Sequence, residues 1–164
     1  MRPLIITVYN FLPFYGETTV DLREVGAAVI SGKNETGKSS YFIDSILFVL
    51  YGHARKKQEG LIHDLADNMW VRLFFRHQNK YFVVQRSIAR NKQQKLSLYQ
   101  VQAIDKAEDL ARGTDLTERL LTLTQEKLEA IVGVSYDLLL ATSIAQQEDI
   151  NLFLKMQPAQ REQV

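Results

Sequence analysis

The residues from Gly32 to Ser40 form a loop of the pattern G-x-x-x-x-G-K-[ST]. The two glycines of this pattern, Gly32 and Gly37, allow the backbone to approach an anion closely. Lys38 places a positive charge on the outer phosphates of a ligand, and the hydroxyl of Ser39 can bind Mg²⁺. The spacing therefore predicts a site for a nucleoside triphosphate and magnesium.

Two apolar segments flank the loop and supply the strand and helix that the motif requires. Ala27 to Ser31 predicts a strand leading into the loop, and Lys38 to Tyr51 predicts a helix leading out of it. A helix that begins there presents unpaired N–H groups and the positive end of its dipole to a phosphate. The helix is apolar on nearly all sides, so we expect it to be buried, with Gly52 as its cap. The alternative is a glycine-containing surface turn that binds nothing.

Further strands are predicted on both sides of this helix. Before the loop, the sequence predicts strands over 4–10 and 18–22, with a turn at 14–16. After the helix we expect a loop over 53–68 with a short anchored piece at 61–64. A two-residue period then predicts strands over 71–76, 81–88 and 96–101, with a turn at Gln78-Asn79. These strands are interpreted as an antiparallel sheet inserted after the phosphate-loop helix.

The last third of the sequence is predicted to be mainly helical. A leucine stripe at 116, 120 and 121 predicts one helix. Thr124 is predicted to cap a second helix that ends at Gly133, and Ser135 to cap a third over 136–141. Residues 142–145 are predicted to form a strand leading to Gln146 and Gln147. A final helix follows, and because it has no cap we expect it to be truncated.

Composition limits the classes of protein to which the chain can belong. Its 164 residues, 46% of them hydrophobic, suffice for one domain with a core. With no cysteine, disulfides and thiolate metal sites within the chain are excluded. His63 has no second ligand at metal spacing, so we expect no zinc site. No apolar run approaches the ~18 residues of a membrane span, and no signal peptide is seen, which predicts an intracellular protein without a membrane partner.

The net charge of +1 conceals a basic segment. Residues 53–100 contain ten Lys or Arg and three Asp or Glu, which gives that stretch a charge of +7. Its main clusters are Arg55-Lys56-Lys57 and the group Arg86, Arg90, Lys92 and Lys95. Such a surface attracts polyanions and predicts contact with double-stranded DNA; the alternative is a solvated hairpin. Trp70 and Phe74 are interpreted as core of the sheet rather than as a platform for bases.

Several motifs in one order resemble those of a known family. They are Asn10-Phe11 after the first strand, the loop Gly32 to Ser40, Leu50-Tyr51-Gly52, Tyr81-x-Val83-x-Gln85-Arg86, Gly133-x-x-Tyr136, the run Ser143-Ile144-Ala145-Gln146-Gln147, and Phe153-Leu154. Together they resemble the N-terminal ATPase half of the SbcC / Rad-fifty proteins, which are SMC-like ATPases of double-strand-break repair. The resemblance covers essentially all of the chain.

The resemblance implies an α/β fold, namely an ABC-ATPase-like lobe I with a phosphate loop, an inserted antiparallel β-subdomain and a helical segment leading to a truncated coiled coil. Residues 1–155 would be the N-terminal lobe of the head, and 156–164 the start of the coiled coil. In this family the Walker B carboxylates and the signature motif belong to a C-terminal lobe. Neither motif is found in this sequence, so we expect the ATPase to be incomplete without that lobe.

The resemblance also implies the ligand contacts. ATP phosphates would be held by Asn34, Glu35, Thr36, Gly37, Lys38, Ser39 and Ser40, with Ile62 and Asp64 on the nucleotide side. Mg²⁺ would be bound by Ser39 and by the Q-loop glutamine, and Lys38 and that glutamine would act in catalysis. The glutamine is assigned to Gln147 by spacing, with Gln146 as the alternative; both could instead be exposed residues at a helix start.

The sequence departs from the family pattern at two places. Leu12 stands where the family has an arginine, so a cation contact from that position is missing. Glu35 places a carboxylate beside the phosphate site, so we expect its side chain to point outward.

The partners implied are the C-terminal lobe of the same protein, a second head joined through ATP, a nuclease of the SbcD / Mre-eleven type, and DNA. This would place the protein in the bacterial cytoplasm or nucleoid, or in a eukaryotic nucleus. An SMC-type chromosome-organising or other DNA-tethering ATPase shares every motif of this lobe and remains the alternative. A phosphate-loop kinase or GTPase lacks support, because the sequence has neither an Asp-x-x-Gly switch nor an arginine lid.

Overall fold

A computed structural model of the chain describes residues 1–33, 36–54, 58–102 and 113–142. Regular structure in these residues comprises strands β1 (Arg2–Phe11), β2 (Phe14–Asp21), β3 (Asn68–His77), β4 (Lys80–Ala89), β5 (Lys95–Val101) and β6 (Thr114–Asp115), and helices α1 (Ser45–Tyr51), α2 (Leu121–Val132) and α3 (Tyr136–Thr142). A π-helical turn, Ser40–Asp44, leads into α1, and a 3-10 turn, Gln58–Leu61, follows it. The chain divides into two compact units, Met1–Val132 and Gly133–Val164.

The first unit is built on one antiparallel sheet of the order β2-β1-β3-β4-β5-β6. The alternation of apolar and polar residues predicted the central strands, and the hairpin of β3 and β4 turns at Gln78-Asn79 with φ angles of 47° and 61°. One feature differs from the prediction of an inserted sheet. Since β3 pairs directly with β1, the strands after the helix continue the N-terminal sheet.

One part of the core lies between one face of this sheet and two helices, and a separate cluster of buried residues comprises Leu4, Ile5, Phe74, Val83 and Val101. Helix α1 packs on β3 and β4, and α2 packs on β5. The phosphate-loop helix was predicted to be buried, and its α-helical part is: Leu47, Phe48, Val49 and Leu50 are fully inaccessible to solvent. Gly52 ends α1 in the left-handed conformation, as predicted, with its N–H donating to the carbonyl of Phe48.

The strand predicted over Ala27 to Ser31 is absent. This segment has no regular structure, and the side chain of Val29 is 96% exposed. A strand needs a neighbour for its backbone hydrogen bonds and side chains. No described strand pairs with this segment, so the apolar β-branched pattern by itself does not produce a strand here.

Two further predictions were wrong in detail. The turn expected at 14–16 lies earlier, since β2 already begins at Phe14. The helix expected over 116–121 is absent; β6 and an irregular segment precede α2, which begins at Leu121. Thr124 lies inside α2, where its buried hydroxyl accepts the N–H of Glu118. Thr124 therefore stabilises the irregular segment before α2 through this hydrogen bond, and it is not the N-terminal cap of a separate helix.

In the second unit, Ser135 caps α3 as predicted, with its hydroxyl accepting the N–H of Leu138 at 3.3 Å. The strand predicted over 142–145 begins at Thr142, which belongs to α3 instead; its other residues and the final helix lie outside the described residues. In the part of the chain that the structure covers, no helix is both long and apolar enough to cross a membrane.

Candidate nucleotide site

The phosphate loop is shaped by its glycines and by the tip of the first hairpin. Gly37 has φ of 84°, a conformation that glycine adopts without strain. A Cβ atom placed on Gly37 would lie 2.6 Å from Cγ of Pro13 and 3.1 Å from the ring of Phe14. The loop therefore packs against the β1–β2 turn, and only glycine fits at this contact. Of the residues predicted to hold phosphate, Asn34 and Glu35 lie outside the described part.

Lys38 extends back over the loop. Its ammonium donates to the carbonyl oxygens of Gly32 at 2.8 Å and Lys33 at 2.6 Å. The hydroxyl of Thr36 donates to the same carbonyl of Lys33 at 2.9 Å. The positive charge of Lys38 is thus held at the mouth of the loop, where an anion bound by the loop would meet it.

The helix that follows is tied to the sheet at its start. The N–H of Tyr41 donates to the carbonyl of Gly37 at 2.8 Å. The hydroxyl of Tyr41 lies 2.8 Å from the carbonyl of Ile6 in β1 and 3.0 Å from that of Thr18 in β2. Burial raises the pKa of this phenol. The start of the helix that follows the loop is consequently anchored to both strands of the first hairpin.

The first turns of this helix are π-helical, with the N–H of Ser45 bonded to the carbonyl of Ser40. The Ser45 hydroxyl also donates to the carbonyl of Tyr41, one turn earlier. Ser39, the predicted magnesium ligand, lies just before this segment and is exposed to solvent. Its hydroxyl is therefore accessible to a metal ion, while its predicted partner Gln147 and the alternative Gln146 lie outside the described residues.

The segment predicted to contact the nucleotide is fixed to the end of β1. Ile62 forms a β-bridge with Phe11, and the N–H of Leu12 donates to the carbonyl of Leu61 at 2.8 Å. The structure thus brings Ile62 to the same hairpin end that packs against the loop through Pro13. Asp64 follows two residues later and is exposed.

Arg86 was interpreted as part of a basic surface, and that interpretation was wrong. Its side chain is 1% exposed and lies at the C-terminal end of α1. Nε donates to the carbonyl of Val49 at 3.2 Å, Nη1 to Oε1 of Gln94 at 3.0 Å, and Nη2 to Oε1 of Gln125. Burial lowers the pKa of Arg86 to about 10, which still leaves it protonated at neutral pH. Arg86 therefore caps the phosphate-loop helix, a role that residue type and spacing did not reveal.

Most other described cations of the basic segment lie at the surface, except Arg72, which is half-buried. Arg76, Lys80, Lys92 and Lys95 are exposed. Arg90 donates to the carbonyl of Ala66 at 3.0 Å, which ties the β4–β5 turn to the segment before β3. The cluster Arg55-Lys56-Lys57 lies outside the described residues.

The two aromatic residues interpreted as core differ in environment. Phe74 is buried, as predicted. Trp70 is half-buried on the opposite sheet face from α1, where it stacks on Tyr9 with ring centroids 5.6 Å apart. The guanidinium of Arg72 lies 4.8 Å from the centre of the Trp70 ring. Trp70 thus belongs to a cation–π stack within the sheet.

A model of the AAA domain family matches residues 6–163 of the chain. The DNA double-strand break repair Rad50 ATPase of Thermoplasma acidophilum is 28% identical over 160 residues, covering 97% of this chain and 17% of that protein. The protein of the same name from Saccharolobus solfataricus is 27% identical over 156 residues, covering 94% of this chain and 16% of that protein. The SbcC component of the nuclease SbcCD of Treponema pallidum is 33% identical over 69 residues, which is 42% of this chain and 6% of that protein.

These relatives confirm the resemblance to the SbcC / Rad50 ATPases that the motifs indicated. The chain spans 17% or less of the length of each of them. Among solved structures, the recombination mediator protein RecF with ATP shares the fold, with a TM-score of 0.56 and 16% identity over 99% of this chain and 36% of that chain. The α/β fold with an antiparallel sheet is confirmed by this similarity.

Proposed function

Because the chain belongs to the AAA domain family, whose model matches residues 6–163, we propose that it is the ATP-binding lobe of a DNA double-strand-break repair ATPase. The observation that carries the proposal is the position of Lys38. Its ammonium already lies at the mouth of the loop, held by the carbonyl oxygens of Gly32 and Lys33. Phosphate oxygens carry more negative charge than these carbonyls and would take over its hydrogen bonds.

Magnesium fits the residues that surround the phosphates. It is a hard cation that binds oxygen ligands and bridges to the substrate's phosphates with few protein contacts. The exposed hydroxyl of Ser39 supplies one such oxygen, and we propose the amide oxygen of Gln147 as a second. When bound, the ion would neutralise charge on the outer phosphates, while Lys38 orients them.

A second lobe is proposed as the partner that completes the ATPase. Support comes from the segment just before the loop, where Val29 is 96% and Ile30 46% exposed. Beside it lies an apolar groove of about 740 Å³, lined by Arg2, Pro3, Val20, Asp21, Leu22, Val25, Gly26, Ala27, Ala28, Ile30 and Phe42. An unpaired strand sequence next to an apolar groove suits a partner strand that adds to it and covers the groove. The lobe carrying the Walker B carboxylates is the occupant that the proposed ATPase requires.

Closure of two heads on ATP, and control of an SbcD / Mre-eleven-type nuclease, are proposed for the whole protein. DNA is proposed as the polyanion bound by the exposed cations of 53–100, of which Arg76, Lys80, Lys92 and Lys95 are described. Arg86 is excluded from this surface by its burial. The proposed DNA-binding surface therefore includes fewer cations than the ten Lys and Arg residues counted in 53–100.

The experiment that tests this function is Mg²⁺-dependent ATP hydrolysis by the full-length protein, or by this chain mixed with its C-terminal lobe. We expect Lys38→Ala to abolish hydrolysis, because the outer phosphates lose their cation. Arg119→Ala is the matched control, since it removes an exposed cation that lies outside both the phosphate loop and residues 53–100. Hydrolysis that survives Lys38→Ala at the wild-type rate would refute the assignment.

A further inference from the structure

The pairing of β1 with β2 is interrupted at Asn10. The ladder passes from the pair Tyr9–Glu17 directly to the pair Phe11–Phe14, so that Asn10 lies opposite two residues of β2 instead of one. Such an irregularity is a β-bulge, which changes the direction of the chain that follows it. The backbone of Asn10 has φ of 49°, in the left-handed region that asparagine tolerates better than most residues. Asn10 therefore lies where the regular ladder breaks, just before the turn of the hairpin.

The amide side chain of Asn10 supplies hydrogen bonds at this break. It is 6% exposed. Its Oδ1 accepts the N–H of Gly16 in β2 at 2.9 Å, and its Nδ2 donates to the carbonyl of Asn68 in β3 at 3.3 Å. The backbone carbonyl of Asn10 accepts the N–H of His63 at 2.9 Å. A buried amide whose oxygen and nitrogen are both bonded is fixed in position, so Asn10 joins three separate segments of the chain.

The part of the hairpin that Asn10 holds is the part that touches the phosphate loop. The bond between Asn10 and Gly16 encloses the turn, and Pro13 and Phe14 lie within the enclosed segment. A Cβ atom on Gly37 would lie 2.6 Å from Cγ of Pro13 and 3.1 Å from the ring of Phe14. Because these side chains leave no gap beside Gly37, a displacement of the turn would also displace the loop.

The two side-chain bonds of Asn10 have different consequences. The bond to Asn68 joins β1 to β3 and lies outside the enclosed turn, so its loss should lower the stability of the sheet. The bond from Gly16 fixes the turn itself, so its loss should release Pro13 from its position against the loop. A substitution that breaks one bond and keeps the other can therefore separate stability from the shape of the loop.

We infer that Asn10 is a positioning residue for the nucleotide site, because its bond from Gly16 fixes the β1–β2 turn against Gly37. The inference rests on the proposed function, since it gives Asn10 a part in the binding of ATP by the loop. Asn10 acts through Pro13 and Phe14 and is not itself a ligand of the phosphates. A loop held in its binding shape loses less conformational entropy when the ligand binds, so a loosened turn should lower the affinity.

The experiment measures two properties of the full-length protein. Calorimetry gives the affinity for Mg²⁺-ATP, and hydrogen–deuterium exchange with mass spectrometry, without nucleotide, reports the mobility of residues 37–41. Asn10→Gly removes the side chain and permits the left-handed backbone. We expect it to weaken ATP binding about tenfold, the scale of one buried hydrogen bond, and to speed exchange over 37–41. Asn91→Gly is the matched control, since Asn91 is exposed in the β4–β5 turn with φ of 57°, and it should change neither property.

Two further variants separate positioning from stability. Asn10→Asp keeps an oxygen for the N–H of Gly16 but sets a carboxylate oxygen against the carbonyl of Asn68. We expect it to lower the unfolding temperature while ATP affinity and exchange over 37–41 stay at wild-type values. Pro13→Ala changes an exposed residue and removes the ring beside Gly37. It should weaken ATP binding and speed the exchange without lowering the unfolding temperature.

The outcomes distinguish this inference from the proposed function. If Asn10→Gly or Pro13→Ala leaves both ATP affinity and exchange unchanged, the positioning role is overturned while the phosphate site stands. It is also overturned if Asn10→Asp loses as much affinity as Asn10→Gly, because affinity then follows stability. If the wild-type protein binds no ATP, the proposed function fails, and exchange over 37–41 still decides whether Asn10 fixes the loop. Should Asn10→Gly fail to fold, Asn10→Asp and Pro13→Ala decide the question.

Discussion

Gly37 of the phosphate loop and Pro13 of the β1–β2 turn are in direct contact, so that a Cβ on Gly37 would lie 2.6 Å from the proline ring. This distance is shorter than side chains tolerate, and the ring of Phe14, which packs on Tyr41, lies 3.1 Å from the same Cβ. The shape of the loop is thus set partly by the first hairpin, far away in sequence. We therefore expect a shift of that hairpin to change the shape of the loop and, with it, the affinity of the loop for a ligand.

We predict that Gly37→Ala displaces the loop and lowers ATP affinity at least about tenfold, or ~1.4 kcal/mol. The alanine meets both an unfavourable φ and the ring of Pro13. Gly16→Ala is the control for the first effect, because Gly16 has φ of 78° but nothing within 4 Å of an added Cβ. It should cost about 1 kcal/mol of stability and leave the loop in place. Calorimetric titration with Mg²⁺-ATP measures the difference, and equal affinities for both variants would contradict the steric argument.

A second prediction concerns the buried guanidinium of Arg86. Arg86→Met should lower the free energy of unfolding by about 1–3 kcal/mol, since the carbonyl of Val49 loses its donor. Arg86→Lys should recover part of this loss, because an ammonium can donate but cannot span all the acceptors. Urea unfolding followed by circular dichroism measures the change. Arg76→Met changes an exposed arginine and serves as the control, and its free energy of unfolding should stay within about 0.5 kcal/mol of wild type. Similar losses for Arg76→Met and Arg86→Met would show that the hydrogen bonds of Arg86 do not stabilise the fold.

The parts of the fold that could be predicted are those in which local sequence and tertiary packing agree. The hairpin at Gln78-Asn79 combines two residues that tolerate positive φ with alternating apolar strands. Gly52 ends its helix because the left-handed cap strongly favours glycine. In the phosphate loop, the positive φ of Gly37 follows from residue type, because glycine adopts it without strain.

The parts that could not be predicted depend on contacts with distant residues. Arg86 has the composition of a surface charge, and only the fold brings Gln94 and Gln125 to its guanidinium. Thr124 is a good capping residue, yet its hydroxyl bonds to Glu118 from inside α2. The run at 27–31 has the pattern of a strand, but a strand exists only where a neighbour pairs with it.

A third prediction follows from the buried phenol of Tyr41. Tyr41→Phe should cost about 1 kcal/mol near pH 8, because the bond to the carbonyls of Ile6 and Thr18 is lost. Burial raises the pKa of this group, so the protonated form is favoured by folding. The stability it contributes is fully present below the unfolded pKa of about 10 and is lost as pH rises above it. Urea unfolding at pH 8 and pH 10.5 should therefore show a smaller gap between variant and wild type at the higher pH. A gap that widens with pH would contradict the burial argument.

The last prediction tests whether the exposed segment before the loop receives a partner. Val29→Asp should leave the stability of this chain within about 0.5 kcal/mol of wild type, since the side chain is 96% exposed. The same change should weaken binding of the C-terminal lobe at least about tenfold, because a charge would be buried in an apolar contact. Leu120→Asp places the same charge on another exposed apolar residue, 58% accessible, and should not affect the lobe. Calorimetric titration of each variant with the C-terminal lobe gives the affinities. If both variants bind the lobe as the wild type does, the second lobe does not pair with the segment at Val29, and the proposal of a partner strand at this groove is refuted.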